Sequence, residues 1–150
     1  MTGETTPELL VDTSVAVALS SVDHQGRGAA LAVVNGKRLG LAGHAAFETF
    51  SVLTRLPGPA RRTPAAVGRL LAANFPFTRF LGPASAAAVL AQISEQGLSG
   101  GSVYDALVAG VAVEHEVPLV TRDLRALGPT GPSEFNWPSF AEEVFPVACR

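Results

Sequence analysis

The chain has 150 residues, 47% of them hydrophobic, and a net charge of −2; this is enough for one sizeable core and too little for two ordinary domains, so a single domain over 1–150 is expected. Its purest apolar run, Ala106 to Val113, is far shorter than the roughly 20 residues that span a bilayer, and Met1 to Asp12 carries Glu4 and Glu8 where a signal peptide has a basic start, which excludes a membrane protein and predicts a cytoplasmic one. A lone cysteine, Cys149, excludes a disulfide framework and a cysteine-based zinc site.

Glu8 to Val11 reads as a short strand, and Asp12-Thr13-Ser14 turns it into a helix opened by Val15, Ala16, Val17, Ala18 and Leu19. A second helix is predicted from about Gly26 to Val34, stopped by Asn35-Gly36, and a second strand from Leu39 to Ala42. The third helix runs from about Ala45 to Leu56 and ends at Pro57-Gly58-Pro59. Thr63-Pro64 then supplies an N-cap and a proline at the first helical position for a helix reaching about Asn74. Phe77 to Leu81 reads as a strand, and Ala84 to Gln96 as an alanine-rich helix closed by Gly97. After the Ser99-Gly100-Gly101 joint, Ser102 is placed to cap a helix from Val103 to Glu114, and Val117 to Thr121 reads as a central parallel strand with Asp123 just past its end. This alternation predicts an α/β sandwich around a mostly parallel sheet. From Gly128 onward the chain is rich in Pro and Gly, with Phe135, Trp137, Phe140 and Phe145 as packing anchors and no clear apolar strand.

Charge is unevenly spread. Between Asp23 and Glu95 the only acid is Glu48, while Arg27, Lys37, Arg38, Arg55, Arg61, Arg62, Arg69 and Arg79 all fall in that stretch. A basic middle of this kind can build a phosphate-attracting surface on an acidic protein, although a solvated helix face is the other common use of scattered arginines.

The acids carry the chemistry. Ligands of open α/β sheets collect outside the carboxyl ends of the strands, where Asp12 and Asp123 are both expected. Asp105 falls in the first turn of its helix, and the sequence leaves open which end of the sheet it approaches. Helix capping is the plain alternative for three of them: Asp12 and Asp123 as N-caps, and Asp105 as the partner of Ser102 in a capping box. Glu48, inside Phe47-Glu48-Thr49-Phe50 with no helix end near, has only a solvated helix face as its alternative. At roughly 4 Å and an effective dielectric of about 20, two such charges repel by about 4 kcal/mol, so a cluster needs a cation. Oxygen ligands without Cys or paired His point to Mg²⁺ or Mn²⁺, which can activate water against a phosphodiester.

Leu10-Val11-Asp12-Thr13-Ser14, His44-Ala45-Ala46-Phe47-Glu48-Thr49-Phe50, Tyr104-Asp105-Ala106-Leu107-Val108-Ala109 and Leu119-Val120-Thr121-Arg122-Asp123 resemble, in order, the successive motifs of PIN-domain nucleases, and most closely those of VapC toxins. The resemblance covers about Leu9 to Leu127. It implies a PIN-like three-layer α/β/α sandwich and a Mg²⁺- or Mn²⁺-dependent endoribonuclease, the toxin of a toxin-antitoxin pair, inhibited by a VapB-type antitoxin. By motif, Asp12 and Asp105 would contact the metal, Glu48 and Asp123 would complete the catalytic pocket, and Thr13 or Ser14 and Thr121 would orient carboxylates or waters. A homodimer and a structured RNA substrate of the transfer or ribosomal class are also implied.

Other readings fit less well. A response-regulator receiver needs paired acids after its first strand and a late lysine, but the only lysine is Lys37. A haloacid-dehalogenase-type phosphatase needs Asp where Ser14 stands. Gly26-x-Gly28 has Leu31 in place of the third glycine of a dinucleotide site, and reads as a loop. His24, His44 and His115 have no spacing that pairs them for metal-free ribonuclease chemistry. The non-enzymatic alternative is an RNA- or protein-binding module whose acids are helix caps or hold a structural ion.

Overall fold

The computed structural model describes residues 5–123 and 147–148. Four short strands, β1 (Leu9–Val11), β2 (Leu39–Leu41), β3 (Leu119–Thr121) and β4 (Val147–Ala148), form one sheet in the order β2-β1-β3-β4, and every pairing is parallel. Parallel strands need crossovers. Helices α1 (Thr13–Ser20) and α2 (Arg27–Val34) join β1 to β2, and α3 (His44–Arg55), α4 (Pro64–Asn74), α5 (Pro83–Glu95) and α6 (Gly101–His115) join β2 to β3.

Period-two alternation along the strands builds two cores. Val11, Leu41 and Val120 face α1 and α2, where Val15, Ala16, Ala18, Ala30 and Val34 meet them together with Phe75. Leu10 and Leu119 face the other way, onto Ala45 of α3 and Val108, Val111 and Ala112 of α6. The sheet is therefore the middle of three layers, as the sequence predicts. A satellite core of Val89, Ile93 and Ala106 fastens α5 to α6. Among the described residues, no helix is long and apolar enough to cross a membrane.

Most element boundaries fall within two residues of those predicted. Thr63 caps α4 by accepting the Ala66 N–H, with Pro64 first in the helix, and Gly97 (φ 66°) follows α5 in the left-handed region. Three expectations are corrected. Phe77 to Leu81 is not a strand but a single bridge, Ala42 to Arg79. This segment does run alongside β2, donating from Phe77 N to Leu39 O and from Arg79 N to Leu41 O, yet the Leu41 N–H is taken by Thr78 Oγ1 at 3.0 Å instead of by a backbone carbonyl. One side chain thus interrupts the ladder. The segment also presses on Gly40, where a Cβ would overlap the Phe77 carbonyl.

The second correction concerns Ser102. Helix α6 starts at Gly101 behind Gly100 (φ 58°), with no side-chain cap, so Ser102 lies inside the first turn and the capping box with Asp105 does not form. The third concerns the end of the chain, where Val147–Ala148 pairs with β3 and supplies the final strand. Phe135, Trp137, Phe140, Phe145 and Cys149 lie outside the described residues.

Candidate active site

The strand order reverses at β1, which continues through its helices to β2 on one side while β3 lies on the other. A crevice outside the carboxyl ends of two such strands is the expected ligand position. Asp12 follows the last residue of β1 and Asp123 follows β3 by two residues, so both acids stand at this crevice.

Asp12 is held from three directions. It is the N-cap of α1, in extended conformation, and Oδ1 accepts from Val15 N at 3.0 Å and from Ser14 Oγ at 2.7 Å. Oδ2 accepts from the Thr121 hydroxyl of β3. A carboxylate offers about four acceptor positions, and these bonds fill three, leaving the open one on Oδ2. Burial nevertheless pushes the Asp12 carboxyl above its ordinary range, against the lowering effect of Ser14, Thr121 and Val15, and the nearby Asp123 charge adds to the rise. The same two hydroxyls knit the crevice together. Ser14 Oγ accepts the Arg122 N–H at 2.9 Å, and Thr121 Oγ1 accepts the Asp123 N–H at 3.0 Å.

Glu48 lies on an exposed face of α3, one turn beyond His44, and its Oε2 accepts from Thr13 Oγ1 at 2.9 Å. The residue next to Asp12 thus ties Glu48 to the crevice. Asp105 is exposed on α6, past its first turn. Its neighbour Tyr104 stacks on His44, the first residue of α3, with ring centroids 4.6 Å apart and planes 13° from parallel. Because α3 starts just beyond the carboxyl end of β2, this stack sets Asp105 on the same side of the sheet as Asp12 and Asp123. The end that Asp105 approaches, open in the sequence, is thereby fixed.

These acids share an edge without closing into one knot. Among the described residues, no three His, Cys, Asp or Glu side chains are close enough to hold a single ion. Asp12 and Asp123 sense one another's charge, whereas Glu48 and Asp105 are brought in through Thr13 and through the aromatic stack. The donor set still suits a hard cation, since Mg²⁺ commonly keeps several waters and is bound by one or two carboxylates. The open position on Asp12 Oδ2 and a carboxyl disfavoured as a bare anion are both features that a bound cation would satisfy.

Sequence reading found the four acids and assigned hydroxyls to them, and Ser14, Thr121 and Thr13 do donate to carboxylates. It missed the His44–Tyr104 stack, whose only trace was an aromatic residue preceding Asp105, and the seating of Arg122 against Gly26.

The family model described as the PIN domain matches residues 9–127. The chain is 42% identical over 120 residues to "Ribonuclease VapC27" of Mycobacterium tuberculosis, covering 80% of this chain and 88% of that one. It is 42% identical over 118 residues to "Ribonuclease VapC40" of the same species, covering 77% and 87%. Among solved structures, Mycobacterium tuberculosis VapC20, titled a sarcin-ricin loop cleaving toxin, superposes with a TM-score of 0.59 at 18% identity, over 80% of this chain and 95% of that one. FitAcB from Neisseria gonorrhoeae superposes with a TM-score of 0.56 at 17% identity, over 95% and 96%. At these identities the two structures speak for the fold alone.

Proposed function

The chain belongs to the PIN-domain family, and from that premise we propose that it is a VapC-type endoribonuclease, the toxin of a toxin-antitoxin pair, that hydrolyses RNA phosphodiester bonds with Mg²⁺ or Mn²⁺. Its relatives VapC27 and VapC40 are ribonucleases by name. The observation that carries the reading is Asp12, half-buried at the crevice, restrained by Ser14, Val15 and Thr121, and left with one acceptor position open.

In this reading Asp12 and Asp105 hold the metal, with Glu48 and Asp123 completing the acidic pocket. A bound divalent cation supplies an activated water and offsets charge on the attacked phosphate. The protein's own part is positioning. Thr121 and Ser14 fix the Asp12 carboxylate while holding the backbone of residues 122 and 123, and Thr13 fixes Glu48. Hydroxyls that orient ligating carboxylates in this way tune affinity and activity.

We further propose a single PIN-like domain over 1–150, a VapB-type antitoxin as inhibitor, a structured RNA of the transfer or ribosomal class as substrate, and a cytoplasmic site of action. A homodimer is supported by exposed apolar side chains on neighbouring elements: Phe47 (66% exposed), Phe80 (51%), Leu90 (68%) and Tyr104 (51%), with the Phe47 and Phe80 rings 6.0 Å apart. Apolar surface of this kind is what a second copy would cover.

The non-catalytic alternative keeps one observation, since Asp12 does cap α1. Asp105 gives it no support, because its capping box is absent. Purified protein incubated with a broad transcript pool separates the readings. The nuclease reading expects discrete cuts in Mg²⁺ or Mn²⁺ that vanish in excess chelator; an uncut pool would support the binding module.

A further inference from the structure

The basic middle of the chain is largely committed to the protein itself. Arg27, Arg38, Arg55, Arg61, Arg62 and Arg79 all turn their guanidinium groups to backbone carbonyls. Arg122 is used differently. Its peptide N–H donates to Ser14 Oγ at 2.9 Å, one hydrogen bond from the Asp12 carboxylate, while no carbonyl or carboxylate among the described residues holds its guanidinium. The side chain is half-exposed and lies over Gly26, at the start of α2, where a Cβ would overlap Cζ and Nη2. Gly26 has an ordinary φ of −83°, so glycine is needed there for room and not for backbone freedom.

We infer that Arg122, seated on Gly26, grips a backbone phosphate of the RNA beside the carboxylate edge, an inference that rests on the ribonuclease reading above. An edge that gathers Asp12 and Asp123 repels a polyanion, and a cation at the scissile position offsets only the charge closest to it. The phosphates on either side still need a positive partner. A guanidinium offers a planar fork of donors that matches two phosphate oxygens, and it stays charged at any working pH. Arg122 comes directly between Thr121, which holds Asp12, and Asp123. Its charge is therefore next to the reacting centre, and no carbonyl or carboxylate among the described residues ties it down. The glycine keeps the fork in place by leaving it a flat seat, so that the arginine is set before RNA arrives.

The test is binding of a fluorescein-labelled RNA stem-loop, read by anisotropy across a potassium chloride series in excess chelator, with cleavage of the same RNA followed in Mn²⁺. Arg122→Ala should bind about tenfold more weakly at low salt and flatten the slope of log affinity against log salt by about 0.7–0.9. Arg122→Lys should keep the slope and lose part of the affinity. Gly26→Ala should weaken binding by unseating the guanidinium, and the double variant should bind no worse than Arg122→Ala alone. Arg122→Gln gives the same reading should the alanine variant melt early. An unchanged slope in both uncharged variants, or effects of Gly26→Ala and Arg122→Ala that simply add, would overturn the contact. A parent chain that binds with this slope but never cuts sinks the ribonuclease reading while the contact stands. Failure of the parent chain to bind RNA overturns both.

Discussion

Asp12 has two roles that pull against each other: it caps α1, and it stands half-buried near the charge of Asp123. Burial raises its carboxyl pKa above the ordinary value, so the native state takes up this proton more readily than the unfolded chain does. The stability this confers is fully present below about pH 4, the unfolded carboxyl range, and is lost as pH rises through the raised native value. In chelator at neutral pH, Asp12→Asn should therefore melt at a higher temperature than the parent, and the gap should close as the pH is lowered; Asn keeps the cap. A variant that melts lower at neutral pH would count against a disfavoured anion at this position. Thr121→Val removes the hydroxyl that donates to Asp12 and accepts from Asp123 N. Cleavage, or the Mn²⁺ needed to support it, should worsen by about 10–100-fold, and Thr121→Ser should recover most of the loss. The identities of these residues were legible because a strand followed at once by Asp-Thr-Ser or by Arg-Asp stands out in the chain. Their partners were not, since Thr121 and Asp12 are neighbours only after β1 and β3 pair.

At the scale of elements, apolar patterning together with the Thr63-Pro64 cap and the Gly97 stop located the six described α-helices, each of which buries residues against the sheet or a neighbouring helix. It failed where a side chain or a backbone contact decided the outcome. The segment at Phe77 has strand composition, yet Thr78 takes the Leu41 N–H and Gly40 admits the Phe77 carbonyl at close range, neither of which a pattern of apolar residues encodes. Gly40→Ala should consequently destabilise by about 3 kcal/mol, or prevent folding, because the clash is with backbone and has no flexible atom to move; chemical denaturation measures it. Ser102 is the opposite case. Its composition suggests a cap, but α6 begins two residues earlier, behind Gly100. Ser102→Ala should thus stay within about 0.5 kcal/mol of the parent, whereas Thr63→Ala, which removes the bond to Ala66 N, should cost about 1 kcal/mol.

For the whole molecule, the parallel sheet brings the ends of β1 and β3 to one crevice, and the long path through α3 to α6 returns Glu48 and Asp105 to the same side. An α/β sandwich around a mostly parallel sheet was legible from alternating strands and helices, and its three layers from the resemblance of the motifs to PIN-domain nucleases. The closing strand was not, because Val147–Ala148 is too short to be distinguished from its surroundings by composition. Phe47 of α3 and Phe80, in the segment that runs alongside β2, are exposed neighbours, and Phe47→Asp should shift the protein from dimer to monomer in sedimentation velocity if a second copy covers them; an unchanged profile would place the interface elsewhere. The claim on which the account turns is that Asp12 and Asp105, although far apart in sequence and held by different elements, serve one metal-dependent reaction. It is tested most directly by the single-turnover rate of RNA cleavage as a function of Mn²⁺ for the parent, Asp12→Asn and Asp105→Asn. The account predicts that both variants remain folded and that both need at least about tenfold more Mn²⁺ or lose cutting altogether; cleavage at the parental rate by either variant, or cleavage that persists in excess chelator, would contradict it.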